Sequence, residues 1–283
     1  MPQNTLLPKN FKVPQLMGIL NVTTDSFSDG GRFIDPANAL AHARKLVDDG
    51  ADILDIGGES TRPGSLPVSP SEELCKVLPV LEKIRENWPD LPISVDTRNS
   101  ELAEAAIELG ATYINDISAL NHDPRMAGLV AANPQVKLVL MHMRGQPETM
   151  QTDPVYTDLL GEIDDFFRER IEFAVSQGID RANLVLDPGI GFGKTAEHNF
   201  KLLGHLADFH KYGLPVLLGV SRKRYIASLD ASAPLERIGG TLATAVNGAW
   251  QGVDILRVHD IHEHRQFFAV IEAIGREAGL WKS

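Results

Sequence analysis

The sequence predicts a single (β/α)₈ barrel, and three observations carry that expectation. A short apolar strand followed by a segment of helical period recurs eight times along the chain, and such alternation implies parallel strands joined by right-handed crossovers. The 283 residues fit one barrel of roughly 250 as well as they would two smaller domains, and the eight units leave no second domain over. Polar residues gather at the carboxyl end of strand after strand, the rim at which barrels of this kind carry their chemistry. Residues 1–14 form a polar lead containing three prolines, and residues 15–283 form the barrel.

The elements follow in order. Residues 15–20 are an apolar strand ending at Asn21, and the turn-rich run 23–31 is too long and polar for a tight connection, so it is expected to be a mobile loop at the rim. Residues 36–49 have helical apolar spacing, with Asp35 as N-cap and Gly50 as the stop. Strand 53–56 carries Asp55 and breaks at Gly57 and Gly58; a loop at 59–64 and a helix at 71–87 follow. Strand 93–95 ends at Asp96 before a helix at 100–109, and strand 112–114 ends at Asn115 and Asp116 before a short helix near Asp123 and Pro124. Strand 137–140 ends at Met141 and His142, and a long loop leads to a helix at 157–177. The sixth strand ends at Asp187 and is followed by a helix at 196–212. Strand 216–218 ends at Gly219, Ser221 and Lys223, before a helix at 235–250. Residues 255–256 end at Arg257 and His259, before the last helix at 261–278.

The stretch 184–195, LVLDPGIGFGKT, is the most informative. Three apolar residues suit a buried parallel strand, Asp187 follows, Pro188 stops the ladder, and three glycines occupy five positions. The spacing fits neither a P-loop nor the dinucleotide fingerprint. It reads instead as a loop whose backbone approaches a ligand closely, beside a buried carboxylate that needs donors to stay charged.

Composition narrows the partners. Lys and Arg number 27 against 38 Asp and Glu, a net charge of −11, which argues against nucleic acid or an anionic membrane surface. Cys75 is the only cysteine, so an intrachain disulfide and a cysteine metal cluster are excluded, and its Leu-flanked context reads as packing. The first 14 residues have no continuous apolar run and read as neither signal peptide nor membrane helix, so a cytoplasmic, soluble protein is expected.

Residue types at the rim exclude several chemistries. No strand end offers the histidines of a metal hydrolase. A magnesium site of three carboxylates from Asp55, Asp96 and Asp187 is disfavoured because their strands are read as not adjacent. A Schiff-base lysine at Lys223 stays open. The remaining arrangement has Asp96, Asp187, Asn115 and Lys223 on one side, with Arg257, His259, Arg62 and Asn21 on the other. Carboxylates and an amide suit a flat heterocycle bearing amino and ring N–H donors. Arginine, histidine and an amide able to hold a hydrated Mg²⁺ suit a diphosphate.

The runs 17–23 and 25–31, 57–64 (GGESTRPG), 94–97 (SVDT), 114–117 (INDI), 140–145 (LMHMRG), 187–194 (DPGIGFGK), 219–223 (GVSRK) and 257–260 (RVHD) resemble dihydropteroate synthases, in order and from first strand to last. The resemblance implies condensation of 4-aminobenzoate with 6-hydroxymethyl-7,8-dihydropterin diphosphate, with release of diphosphate, in a homodimeric sulfonamide target. It further implies that Asp96, Asn115, Asp187 and Lys223 hold the pterin and that Met141 and Phe192 wall its pocket. Asn21 would bind Mg²⁺, and Thr61, Arg257 and His259 would contact the diphosphate. Arg62, Pro63 and Ser221 would lie near the aminobenzoate. Thr24 stands where the family usually has proline, and Arg224 stands where serine is common, adding a cation near the aminobenzoate mouth.

The residue chemistry agrees with such a reaction. If the departing diphosphate is stabilised, the pterin methylene develops positive charge that Asp96 and Asp187 offset, and a neutral arylamine then suffices as nucleophile. A methyltetrahydrofolate:corrinoid methyltransferase would share the pterin anchors but has no use for Thr61, Arg62, Arg257 and His259. A Lys223 aldolase and a non-catalytic pterin-binding protein are the other readings. His262 and His264 on the last helix are expected at the surface, and the basic run Arg222, Lys223, Arg224 is expected to serve anionic substrates.

Overall fold

The computed structural model describes residues 11–22, 36–59, 68–146, 149–152 and 154–280. Eight parallel strands lie in the order β6-β5-β4-β3-β2-β1-β8-β7. They are β1 Gln15–Asn21, β2 Ile53–Gly57, β3 Ile93–Asp96, β4 Tyr113–Asp116, β5 Lys137–Met141, β6 Leu184–Asp187, β7 Leu217–Gly219 and β8 Ile255–Val258. A bridge between Leu186 and Val216, with the Leu186 N–H donating to the Pro215 carbonyl at 2.9 Å, closes the circle between β6 and β7. The barrel expected from the sequence is therefore present.

Around it run α1 Pro36–Asp48, α2 Pro70–Asn87, α3 Ser100–Glu108, α4 Met126–Ala131, α5 Leu159–Ser176, α6 Ala196–Leu203, α7 Ile238–Trp250 and α8 Ile261–Glu277. Side-chain alternation along each strand makes two cores. Outward residues such as Leu54, Ile56, Leu138 and Leu186 pack under the helices. Inward residues Met17, Ile53, Tyr113, Val139, Val185, Leu217 and Ile255 fill the barrel interior. That filling plugs the lumen on the amino-terminal side of the strands, so polar inward residues collect toward the carboxyl ends.

Three local expectations are corrected. The helix expected over 196–212 ends at Leu203, and a 3₁₀ segment Leu206–Tyr212 follows. Gly204 weakens the helix there, and Leu206 and Phe209, three apart, bury together in the tighter turn. Cys75 is exposed, because the inward face of α2 is Glu73, Val77, Val80, Leu81 and Ile84. His264 is fully buried, on the face that α8 presents with Ile261 and Phe268, and its Nδ1 lies 2.6 Å from the Asp260 carbonyl. Burial lowers its pKa, so the ring stays neutral. The Asp35 cap and the 23–31 loop lie outside the described residues.

Candidate active site

Parallel register brings the polar strand ends to a common level. Gly57 is opposite Asp96, Asp96 opposite Asn115, Met141 opposite Asp187, and Gly219 opposite Arg257. Gly57 and Gly219 contribute no side chain, which leaves open space above the plugged interior. The result is a cavity of about 720 Å³, a size suited to a small organic ligand. Its lining includes Asn21, Asp96, Asn115, Met141, Asp187, Phe192, Ser221, Lys223, Arg257 and His259. Thr61, Arg62, Pro63 and Thr24 lie outside the described residues.

The charge arrangement differs from the two-sided one read from the sequence. Arg257 reaches across the lumen, its Nε donating to Asp55 Oδ2 at 2.6 Å and its Nη2 to Asp96 Oδ2 at 2.8 Å. One guanidinium thus serves two carboxylates on the neighbouring strands β2 and β3, and the separation of Arg257 from the acids is withdrawn. So is the view that the strands of Asp55 and Asp96 are not adjacent. Among the described residues no group of three metal-capable side chains forms. Asp55 is fully buried and takes the Arg257 cation, a role not assigned from the sequence.

Burial is the largest influence on both candidate acids. It pushes the Asp96 carboxyl up to about 7 against the pull of Arg257, with Asp55 adding to the rise. Asp187 is also raised, opposed by the Gly189 N–H donating to its Oδ1 at 2.8 Å and by Lys223 and Arg257. Burial brings Lys223 down to about 8, opposed by Asp187, and its ammonium sits 4.4 Å from the centroid of the Phe192 ring. Arg257 is raised further and stays charged.

These shifts set opposite trends for stability and activity. Between the ordinary Asp value of 3.8 and about 7, the folded protein holds a proton on Asp96 that the unfolded chain has lost. That contribution to stability is complete below the lower value and disappears as pH rises through the upper one. A carboxylate that accepts substrate N–H donors works only when ionised, so kcat/KM is expected to rise as pH passes through about 7. It should fall again as Lys223 loses its proton near 8. Asp96→Asn is expected to lose the acid limb and to flatten the decline of Tm with pH relative to wild type. Paired rate and melting profiles check both.

The glycines of the 187–194 loop have a different cause from the one expected. Gly189 has φ +67°, and a Cβ there would stand 1.9 Å from the His142 carbonyl oxygen; at Gly193, φ +61°, it would stand 2.2 Å from the Arg144 oxygen. The close approach is thus between this loop and the backbone leaving β5, which locks the end of β6 beside the end of β5. Asp187 is aimed by that lock. The basic run also divides: Arg222 is held by Asp260, Nε to Oδ2 at 3.1 Å, whereas Arg224 is exposed in the cavity wall. Ser221 is tied to β8, its Oγ accepting from the His259 backbone N–H at 3.2 Å and lying 2.9 Å from His259 Nδ1.

Comparison with known proteins places this cavity in a family. A family model described as pterin binding enzyme matches residues 17–259. The dihydropteroate synthase of Escherichia coli (strain K12) is 46% identical over 260 residues, 92% of this chain and 91% of that protein. The Yersinia pestis dihydropteroate synthase, solved in complex with a sulfonamide drug, has a TM-score of 0.86 and 45% identity, over 92% of this chain and 94% of that one. The Xanthomonas albilineans dihydropteroate synthase, solved with 4-aminobenzoic acid, has a TM-score of 0.86 and 44% identity, over 92% of this chain and 93% of that one. With a matching sequence along nearly its whole length and the same barrel beneath it, this chain belongs to the dihydropteroate synthase family of pterin-binding enzymes.

Proposed function

We propose that the barrel-mouth cavity condenses 4-aminobenzoate with 6-hydroxymethyl-7,8-dihydropterin diphosphate. The pterin ring lies on Asp96, Asn115, Asp187 and Lys223, between the Met141 and Phe192 walls. The observation that carries this assignment is the pair of buried carboxylates, Asp96 and Asp187, in one cavity with Lys223 and Arg257. Each acid can accept two parallel N–H donors from an amino-substituted heterocycle. Arg257 and His259 face the diphosphate, to which Thr61 is also assigned; a guanidinium has five N–H donors, so Arg257 can keep both acids and still hold a phosphate oxygen. Arg62, Pro63 and Ser221 are assigned to the aminobenzoate side.

In the reaction the bond from the pterin methylene to the diphosphate oxygen breaks with its electron pair leaving on oxygen. The amine nitrogen forms the new C–N bond and sheds one proton to solvent. Asp96 and Asp187 offset the positive charge that spreads from the methylene into the ring. Lys223 donates to the ring and takes no covalent part: with its ammonium over Phe192 and beside Asp187, charge is its useful form.

Asn21, half-buried at the cavity wall, is a neutral oxygen donor of the kind Mg²⁺ accepts when substrate phosphates and water complete its shell. Bound there, the ion would neutralise charge on the departing diphosphate. A homodimer is supported by exposed apolar side chains on the outer helices, Trp250 on α7 and Val270 and Ile274 on α8. A cytoplasmic setting belongs to the same reading, and the absence of nucleic-acid and anionic-membrane partners is supported by the net charge of −11. Among the described residues, no helix is long and apolar enough to cross a membrane.

Diphosphate release from the pterin diphosphate, measured with Mg²⁺ and no corrinoid protein, tests the reading. Release that requires 4-aminobenzoate is the expected outcome. Pterin binding without release would favour the corrinoid-dependent methyltransferase or a non-catalytic binder.

A further inference from the structure

We propose that Lys194 is a positioning residue for this reaction, holding the 189–194 loop against the end of β5 so that Phe192, and with it Lys223, keep their places in the cavity wall. The inference rests on the condensation reading above.

Lys194 is almost wholly buried, at 2% exposure. Its Nζ lies 2.9 Å from His142 Nδ1, 2.9 Å from the Gly189 oxygen, 3.1 Å from the Phe192 oxygen and 3.3 Å from the His142 oxygen. An ammonium has three N–H donors, so these four acceptors saturate it. Burial brings the Lys194 pKa down to about 7, opposed by Asp187. Although the residue lines the cavity, its charged form has no donor left for a substrate oxygen. Its function is therefore mechanical. It joins the backbone after β5 to the backbone after β6 at the level where Asp187 enters the site.

The other grips on this loop fall elsewhere. Gln151 donates to the Gly191 oxygen at 2.6 Å, Asn199 Oδ1 accepts from the Gly191 N–H at 2.7 Å, and Tyr156 donates to the Gly193 oxygen at 2.9 Å. Lys194 grips Gly189 and Phe192, the two residues that flank the pterin anchors. Removing its donors would leave the His142 and Phe192 carbonyls unpaired, while Gly189 would keep only the Phe192 N–H at 3.1 Å, and the loop would have to open to water to satisfy them. Phe192 would then move, and the ammonium of Lys223, 4.4 Å above its ring, would lose its support. The buried His142 supports the arrangement: desolvation and the adjacent Lys194 keep its imidazole neutral, so that Nδ1 can accept.

A double-mutant cycle on kcat/KM separates positioning from general stability. Lys194→Met is expected to lower kcat/KM by about 10²-fold, the scale of a small misplacement of reacting groups. If it acts through Phe192, the Lys194→Met/Phe192→Ala double variant should fall within about threefold of the poorer single variant. A merely structural lysine predicts losses that multiply. Multiplying losses, or a Lys194→Met enzyme within about threefold of wild type, would overturn the proposal. Should Lys194→Met not accumulate as folded protein, Lys194→Leu, which also lacks a donor, replaces it in the cycle with the same criteria. Wild-type enzyme that releases no diphosphate would overturn the reaction itself, whereas an active wild type with a multiplicative cycle overturns only the role of Lys194.

Discussion

Asp187→Ala is expected to lower kcat/KM for the pterin diphosphate by about 10³-fold, the upper end of what removing one preorganised electrostatic group from a buried site costs. Two losses combine. The first is the acceptor for the ring's N–H donors, aimed by the Gly189 N–H at 2.8 Å. The second is the negative charge that opposes Lys223 and Arg257, because Asp187 contributes to holding both protonated. Without it the alkaline limb of the rate profile should move to lower pH, since the buried Lys223 loses the carboxylate that raises its pKa. Asp187→Asn keeps an acceptor but not the charge, and should recover part of the binding while leaving the limb displaced. Steady-state kinetics across pH for the two variants distinguishes the contributions. An unchanged limb in Asp187→Ala would mean that Lys223 is governed by other groups.

Arg257→Met is expected to damage stability as much as activity. The substitution leaves Asp55, fully buried, and Asp96 on adjacent strands with no cation between them. Breaking a buried pair in this way costs about 3–5 kcal/mol, because an uncompensated charge remains behind. At the roughly 2–4 °C per kcal/mol of a protein of this size, Tm should drop by about 6–20 °C near pH 8. The deficit should shrink as pH falls toward about 5, where Asp96 has taken up a proton and the like-charge repulsion goes. Arg257→Lys should recover less than half of the loss, since one ammonium cannot present the two separately aimed nitrogens that now meet Asp55 and Asp96. Melting curves for the three proteins at both pH values check the sign. A deficit that grows on acidification would contradict the charge-sharing account.

What could be read in the sequence was local. Each strand is a short apolar run that ends in a polar residue, and a parallel barrel puts all such ends on one rim, so Asp96, Asn115, Asp187 and Arg257 were recognisable as neighbours of a common cavity. What could not be read was which of them touch. Arg257 meets Asp96 across 161 residues of chain and Asp55 across 202, and those contacts depend on the reach of one side chain across a lumen left open by Gly57 and Gly219. Asp55 did carry a signal: an acid between Ile53 and Gly57 on the inward face of a parallel strand must find a cation. His264 and Cys75 were misplaced because one polar residue in an amphipathic helix does not declare its face; the answer lies in the strands beneath it. The glycines after Asp187 were rightly singled out for close approach. The partner, the backbone at His142 and Arg144, leaves β5 some 47 to 49 residues earlier, counted from 142 to 189 and from 144 to 193, and no local pattern names it.

A crystal structure of the protein with 6-hydroxymethyl-7,8-dihydropterin diphosphate bound is the most direct test of the pterin site. The expected complex has the ring's N–H donors on the carboxylates of Asp96 and Asp187, the Asn115 amide and Lys223 at its edge, and the diphosphate toward Asn21, Arg257 and His259. A pterin ring bound outside the barrel mouth, or one in the cavity that leaves Asp96 and Asp187 without contact, would contradict it.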